Sequence, residues 1–158
     1  ACGARIGALI SRNRGIMQGA LKLAQARLSV ATLDQLGAAA LYGVDPSYFD
    51  ATRNEYRRRR DTCYRKLLEI PGIVTTEPQG AFYTMAKLPV DSTERFQLYL
   101  LQEFEDNGET VMFAPGSGFY ATPGAGTSEI RIAYVRCVEE LERSLTLLRL
   151  AIERYNQK

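Results

Sequence analysis

A chain of 158 residues with 20 Lys+Arg, 18 Asp+Glu, no histidine and no tryptophan has room for one domain of ordinary size, or for one domain and part of another. At 46% hydrophobic and 24% charged residues it is too apolar for a disordered chain, and its net charge of +2 points to no polyanionic partner. The absence of histidine excludes His-based catalytic triads, imidazole metal ligands and imidazole pH sensing within this chain.

In chain order, Arg5 to Ser11 reads as a short strand with Ile6, Leu9 and Ile10 as its apolar residues, and Asn13 with Arg14-Gly15 marks a turn. From Ile16 to about Tyr42 the sequence is rich in Ala, Leu and Gln; Ser29 interrupts a first helix, Thr32 caps a second over Leu33 to Leu41, and Gly43 ends it. Asp45-Pro46 opens a long helix over Ser47 to Ile70, in which Phe49, Tyr56, Cys63 and Ile70 recur every seven residues as a core-facing stripe. Pro71-Gly72 terminates it. Ile73 to Thr75 is β-prone, and Ala81 to Ala86 reads as a strand after the Pro78-Gln79-Gly80 turn.

Ser92 or Thr93 caps a helix running to about Asn107, with Phe96, Leu100 and Phe104 on one face and Gly108 as its stop. Thr110 to Ala114 is a strand, and residues 115–128, with Gly116, Gly118, Gly124 and Gly126, form a long irregular loop with the character of a mobile lid. Glu129 to Val135 alternates as a strand does, with Ile130, Ile132 and Tyr134 on one side. Val138, Leu141, Leu145, Leu148 and Ile152 fall on one face of a final helix. The second half is therefore an α/β arrangement, α+β-like in being a small sheet with helices packed on it.

Cys2, Cys63 and Cys137 form neither a disulfide framework nor a CxxC metal knuckle. Buried free thiols in a reducing compartment are the reading that favours the cytoplasm. No apolar run reaches membrane-spanning length, and the opening ACGARIGALIS lacks the basic start and apolar stretch of a signal peptide.

Two arginines stand out. Arg131 lies mid-strand between Ile130 and Ile132 after the glycine-rich loop; its donor fork suits a carboxylate or phosphate, although from spacing alone a structural carboxylate or solvent is the commoner partner. Arg5 lies between Gly3 and Gly7, where an exposed strand-edge arginine is the simpler interpretation. The two GxG runs at 116–118 and 124–126 follow neither the Rossmann nor the P-loop spacing. The basic run Arg57 to Arg60 spreads around its helix, so a solvated face with local ion pairs outweighs a nucleic-acid patch.

Taken together, GARIG (3–7), PQGAFY (78–83) and VMFAPGSGF followed by EIRIAYV (111–135), with the YRRRRD segment (56–61) on the long helix, resemble the C-terminal part of a class I/II aminotransferase. This is the aspartate-aminotransferase-like group of pyridoxal-phosphate enzymes, of fold type I. The resemblance implies that residues 1–44, a strand and helices, end the large cofactor-binding domain, and that residues 45–158 form the small domain. It implies that Arg5 binds the phosphate of pyridoxal 5'-phosphate, that Arg131 grips the substrate α-carboxylate, and that Phe82 stands near the substrate pocket. Gln25 to Thr32 resembles the stretch that approaches the neighbouring active site in family dimers.

The Schiff-base lysine of the motif falls before Ala1, and Lys22, Lys66, Lys87 and Lys158 do not match it. The resemblance thus implies a fragment with no catalytic residue and no metal site, inactive alone, from a homodimeric enzyme that moves an amino group from an amino acid, such as aspartate, to a 2-oxo acid. A β-lyase or synthase of the same fold would keep the same arginine. A non-catalytic domain using the basic helix is the alternative from another class. Neither nucleic acid nor membrane is an expected partner.

Overall fold

The computed structural model describes residues Cys2 to Gln157. Two compact units divide it, Ala1–Phe49 and Asp50–Lys158. The first unit contains 3-10 turns at Cys2–Ala4 and Leu41–Gly43 and the helices α1 (Arg14–Arg27) and α2 (Thr32–Ala40). Asn13 caps α1, its Oδ1 accepting from the Ile16 N–H at 3.2 Å. Thr32 does not cap α2 but begins it, after Ala31, with no side-chain cap. The expected strand over Arg5 to Ser11 is absent, and the backbone there is irregular. An extended segment is fixed only when its N–H and C=O groups find a ladder; no strand pairs with this one, and Arg5 takes a left-handed φ of 55°.

The long helix α3 (Pro46–Leu68) starts where Asp45 Oδ1 accepts from the Ser47 N–H at 2.8 Å, with proline at a first-turn position that needs no N–H donor. From Asp50 onward it belongs to the second unit. There it is followed by β1 (Val74–Thr75), β2 (Tyr83–Lys87), α4 (Thr93–Gln102), β3 (Ala114–Pro115), β4 (Glu129–Ala133) and α5 (Val138–Tyr155). The four strands form one antiparallel sheet in the order β1-β2-β4-β3.

Ladder register divides the sheet into two faces. Thr84 pairs with Ile132 and Ala86 with Ile130 on the core side, where Ala86 and Ile130 are buried. Cys63 and Leu67 from α3, Ile70 just beyond its end, Phe96, Tyr99 and Leu100 from α4, and Leu141, Leu145, Leu148 and Ile152 from α5 complete that core. The seven-residue stripe on α3 thus holds for Cys63 and Ile70, with Tyr56 half-buried against the same cluster. Phe49, on the first unit's side of the division, is exposed. Burying each large apolar side chain contributes about 1.5–3 kcal/mol. Tyr134 continues the ladder, its N–H donating to the Phe82 carbonyl, and its buried hydroxyl donates to the Ala81 carbonyl at 3.1 Å.

Three sequence boundaries shift. Helix α4 stops at Gln102 rather than near Asn107, because the Asn107-Gly108 pair, both at positive φ, turns the chain between Asp106 and Glu109 instead. The strand expected over Thr110 to Ala114 is paired only at Ala114–Pro115. The strand expected from Ala81 begins at Tyr83, since Ala81 has a φ of 57°. Among the described residues no helix is long and apolar enough to cross a membrane, and no cluster of three or more acidic, Cys or His side chains could hold a metal.

Candidate functional site

The sheet face away from the core carries Tyr83, Met85 and Lys87 from β2 and Glu129, Arg131 and Ala133 from β4. Met85 and Ala114 stand directly across from Arg131 on its two neighbouring strands. On this face the Arg131 guanidinium lies 4.6 Å from the Tyr83 ring centroid and 4.6 Å from that of Phe119. Each such contact is worth about 0.5–2 kcal/mol. The guanidinium carbon of Arg131 is thus within cation–π reach of both rings. No carboxylate among the described residues pairs with Arg131; its recorded contacts are the two rings. A half-buried arginine with no internal carboxylate partner can receive a carboxylate or phosphate through its donor fork. Beside it opens a cleft of about 360 Å³ whose lining includes Tyr83, Met112, Arg131, Arg136 and Ser144. Arg136 is ion-paired to Glu140 at 2.7 Å.

Phe119 reaches Arg131 because the glycine-rich segment is tied down. Residues 115–128, expected to form a long irregular loop, carry a set of backbone anchors. Leu88 donates to Ser128 at 2.8 Å, Thr93 to Thr127 at 2.9 Å, Gly116 to Glu129 at 2.7 Å, and Glu129 to Gly126 at 2.9 Å. Ser117 Oγ donates to Glu94 at 2.6 Å and the Tyr120 hydroxyl to Glu129 at 2.5 Å. The Glu129 bond, followed by desolvation, raises the Tyr120 pKa. The glycines here permit close packing rather than looseness: a Cβ on Gly116 would lie 2.7 Å from the Glu129 Cβ, and one on Gly126 would lie 2.6 Å from the Tyr120 ring.

Of the residues singled out in the sequence, Arg131 has this defined setting. Phe82 packs on the core side, 6.1 Å from Tyr56 between ring centroids, and it is the adjacent Tyr83 that meets Arg131. Tyr83 and Phe119 end the segments PQGAFY and VMFAPGSGF, but neither was given a role. The signal available was the alternation of β2, which puts Tyr83 on the face opposite Thr84 and Ala86. Arg5, exposed in the first unit, lines a cleft of about 870 Å³ together with Arg27, Asp34, Met17, Leu21 and Leu28. Two guanidinium groups in one cleft suit a phosphate by charge and donor geometry, so these residues fit the phosphate end of pyridoxal phosphate.

The Arg57 to Arg60 run is largely internally compensated. Arg58 and Arg59 both pair with Glu55, Arg60 pairs with Asp61 and Glu77, and Arg59 also donates to the Val135 carbonyl at 2.6 Å. Arg60 is held more firmly protonated, first by its Asp61 hydrogen bond.

Residues 1–146 match the family model described as aminotransferase class I and II. The aspartate aminotransferase of Bacillus subtilis (strain 168) is 30% identical over 132 residues, covering 79% of this chain and 31% of that protein. A probable aspartate/prephenate aminotransferase of Aquifex aeolicus (strain VF5) is 31% identical over 127 residues, with 79% and 31% covered. Among solved structures, an alanine aminotransferase from Pyrococcus furiosus superposes with a TM-score of 0.69 at 30% identity, covering 90% of this chain and 36% of that one. The chain spans about a third of the length of these relatives.

Proposed function

Because this chain belongs to the aminotransferase class I and II family, whose members depend in general on pyridoxal phosphate, we propose that it supplies the substrate-carboxylate grip of an enzyme that moves an amino group from an amino acid to a 2-oxo acid. The observation that carries this reading is Arg131, its guanidinium carbon 4.6 Å from the centroids of the Tyr83 and Phe119 rings and paired to no carboxylate among the described residues. An arginine with no carboxylate partner among the described residues can take a carboxylate bidentately, and a charge-assisted pair of this kind contributes about 1.5–3 kcal/mol. An amino acid held by its carboxylate has its Cα–H fixed in direction, which is the orientation a proton transfer needs.

Arg5, with Arg27 in the same cleft, would hold the cofactor phosphate. The bound cofactor would supply the electron sink for the α-carbon. Aspartate is the amino donor we favour, on the names of the Bacillus and Aquifex relatives. A homodimeric, cytoplasmic enzyme, with residues 1–44 closing its large domain, belongs to the same proposal. With no lysine at the motif position, the 158-residue chain alone does not transaminate.

The test is Arg131→Ala in the complete enzyme. We expect kcat/KM for L-aspartate to fall about 10- to 150-fold, the range of a lost charge-assisted pair, with pyridoxal phosphate affinity unchanged. An unaltered kcat/KM would refute the role. Turnover by the 158-residue chain alone would refute its inactivity.

A further inference from the structure

Glu129 and Arg131 are next-but-one neighbours on the same face of β4, which places their Cα atoms roughly 6–7 Å apart, an easy span for a Glu–Arg ion pair. They do not form one. The Glu129 carboxylate instead accepts the Tyr120 hydroxyl at 2.5 Å, while the Arg131 guanidinium lies 4.6 Å from the Tyr83 and Phe119 ring centroids. Two consecutive residues of the glycine-rich segment therefore handle the two charges: Phe119 meets the arginine and Tyr120 takes the carboxylate.

We propose that Tyr120 is a positioning residue that holds the Glu129 carboxylate away from Arg131, leaving the arginine's donor fork open to a carboxylate from outside. The inference rests on Arg131 being the carboxylate grip described above. An internal carboxylate on the same strand face presents itself at a high effective concentration, so it would outcompete a millimolar substrate unless something withheld it. The withholding contact is built rather than incidental. The Tyr120 ring is seated against Gly126, where a Cβ would lie 2.6 Å from it. The Glu129 backbone is bonded to both Gly126 and Gly116, and Gly116 leaves no room for a Cβ beside the Glu129 side chain. The phenol and the carboxylate are thereby fixed against each other by main-chain bonds on either side. The other charged group on this face, Lys87, stands directly across from Glu129 on β2 and is the competing destination for a released carboxylate.

Tyr120→Phe tests this in the 158-residue chain, because it keeps the ring against Gly126 and removes only the hydroxyl. The first readout needs no ligand: the Arg131 Nε–H resonance in 15N-resolved NMR. It is expected to move, and its exchange with water to slow, in Tyr120→Phe, and to return in Tyr120→Phe/Glu129→Gln. The second is titration of the same resonance with acetate at constant ionic strength. Tyr120→Phe is expected to weaken acetate binding at least threefold, and the double variant to bind within twofold of Glu129→Gln alone.

An unmoved Arg131 resonance in Tyr120→Phe overturns the proposal. So does a weakening that persists in the double variant, or a response at Lys87 Nζ in place of Arg131. If acetate leaves the Arg131 signal of the unmodified chain unchanged, it is the carboxylate reading of Arg131 that fails, and the ligand-free comparison still decides what Tyr120 does.

Discussion

Asp50–Lys158 and Ala1–Phe49 are built from similar amphipathic stretches with opposite outcomes. In the first of these, leucines spaced for a helix face are buried, as Leu67, Leu100, Leu141, Leu145 and Leu148 show. In the second, neither α1 nor α2 buries a single residue, and Leu23, Leu28, Leu33 and Tyr42 are 70%, 81%, 82% and 96% exposed. Periodicity states which face of a helix wants covering, and a core forms only where the covering elements are supplied. The sheet β1-β2-β4-β3 supplies them for residues 50–158.

The sharpest way to break this contrast is truncation in both units. Leu67→Ala should destabilise the chain by about 2–5 kcal/mol, whereas Leu33→Ala should stay within about 0.5 kcal/mol, the range of an exposed substitution; urea unfolding of both variants checks it. Comparable losses at the two positions would mean that α2 has a core after all.

A pH titration gives the next largest effect. Burial pushes the Cys63 thiol from an ordinary value of 9.0 up to about 12. Between these values the unfolded state has lost a proton that the folded state keeps, so stability falls as pH rises from 9 toward 12, by about 1.4 kcal/mol per pH unit for one proton. Cys63→Ala should flatten that slope by one proton, measured as the pH dependence of unfolding free energy. A slope unchanged by the substitution would contradict the burial of the thiol.

The smallest contrast is between glycines. Gly126→Ala forces a Cβ into the Tyr120 ring at a φ of +74° and should cost about 1–3 kcal/mol. Gly19→Ala, in α1 with nothing within 4 Å of the new Cβ, should instead favour its helix by about 0.5–1 kcal/mol, seen as increased helicity in circular dichroism.

Helices α3, α4 and α5 were legible because each carries an apolar period, and in α4 a capping serine whose Oγ accepts from Arg95. Arg131 was legible as a strand arginine within a family motif. What surrounds it was not. Tyr83 and Phe119 meet Arg131 through an antiparallel register and a loop path that no local pattern encodes, while Phe82, the aromatic that the motif singled out, faces the core. The segment Arg5 to Ser11 shows the converse: its composition suits a strand, but a strand is a pairing, and none of β1 to β4 pairs with it.

The β2–β4 ladder also carries a kinetic meaning. Tyr83 and Arg131 sit on adjacent strands, with α4, β3 and the whole glycine-rich segment lying between them in the chain. Bringing them together requires closing that long loop before any ladder bond compensates its entropy. A partly folded molecule holding only its helices lacks the contact between Tyr83 and Arg131. The two ring contacts of Arg131 therefore arise with the central strand pairing, and their appearance during refolding would time the moment when the two halves of the sheet meet.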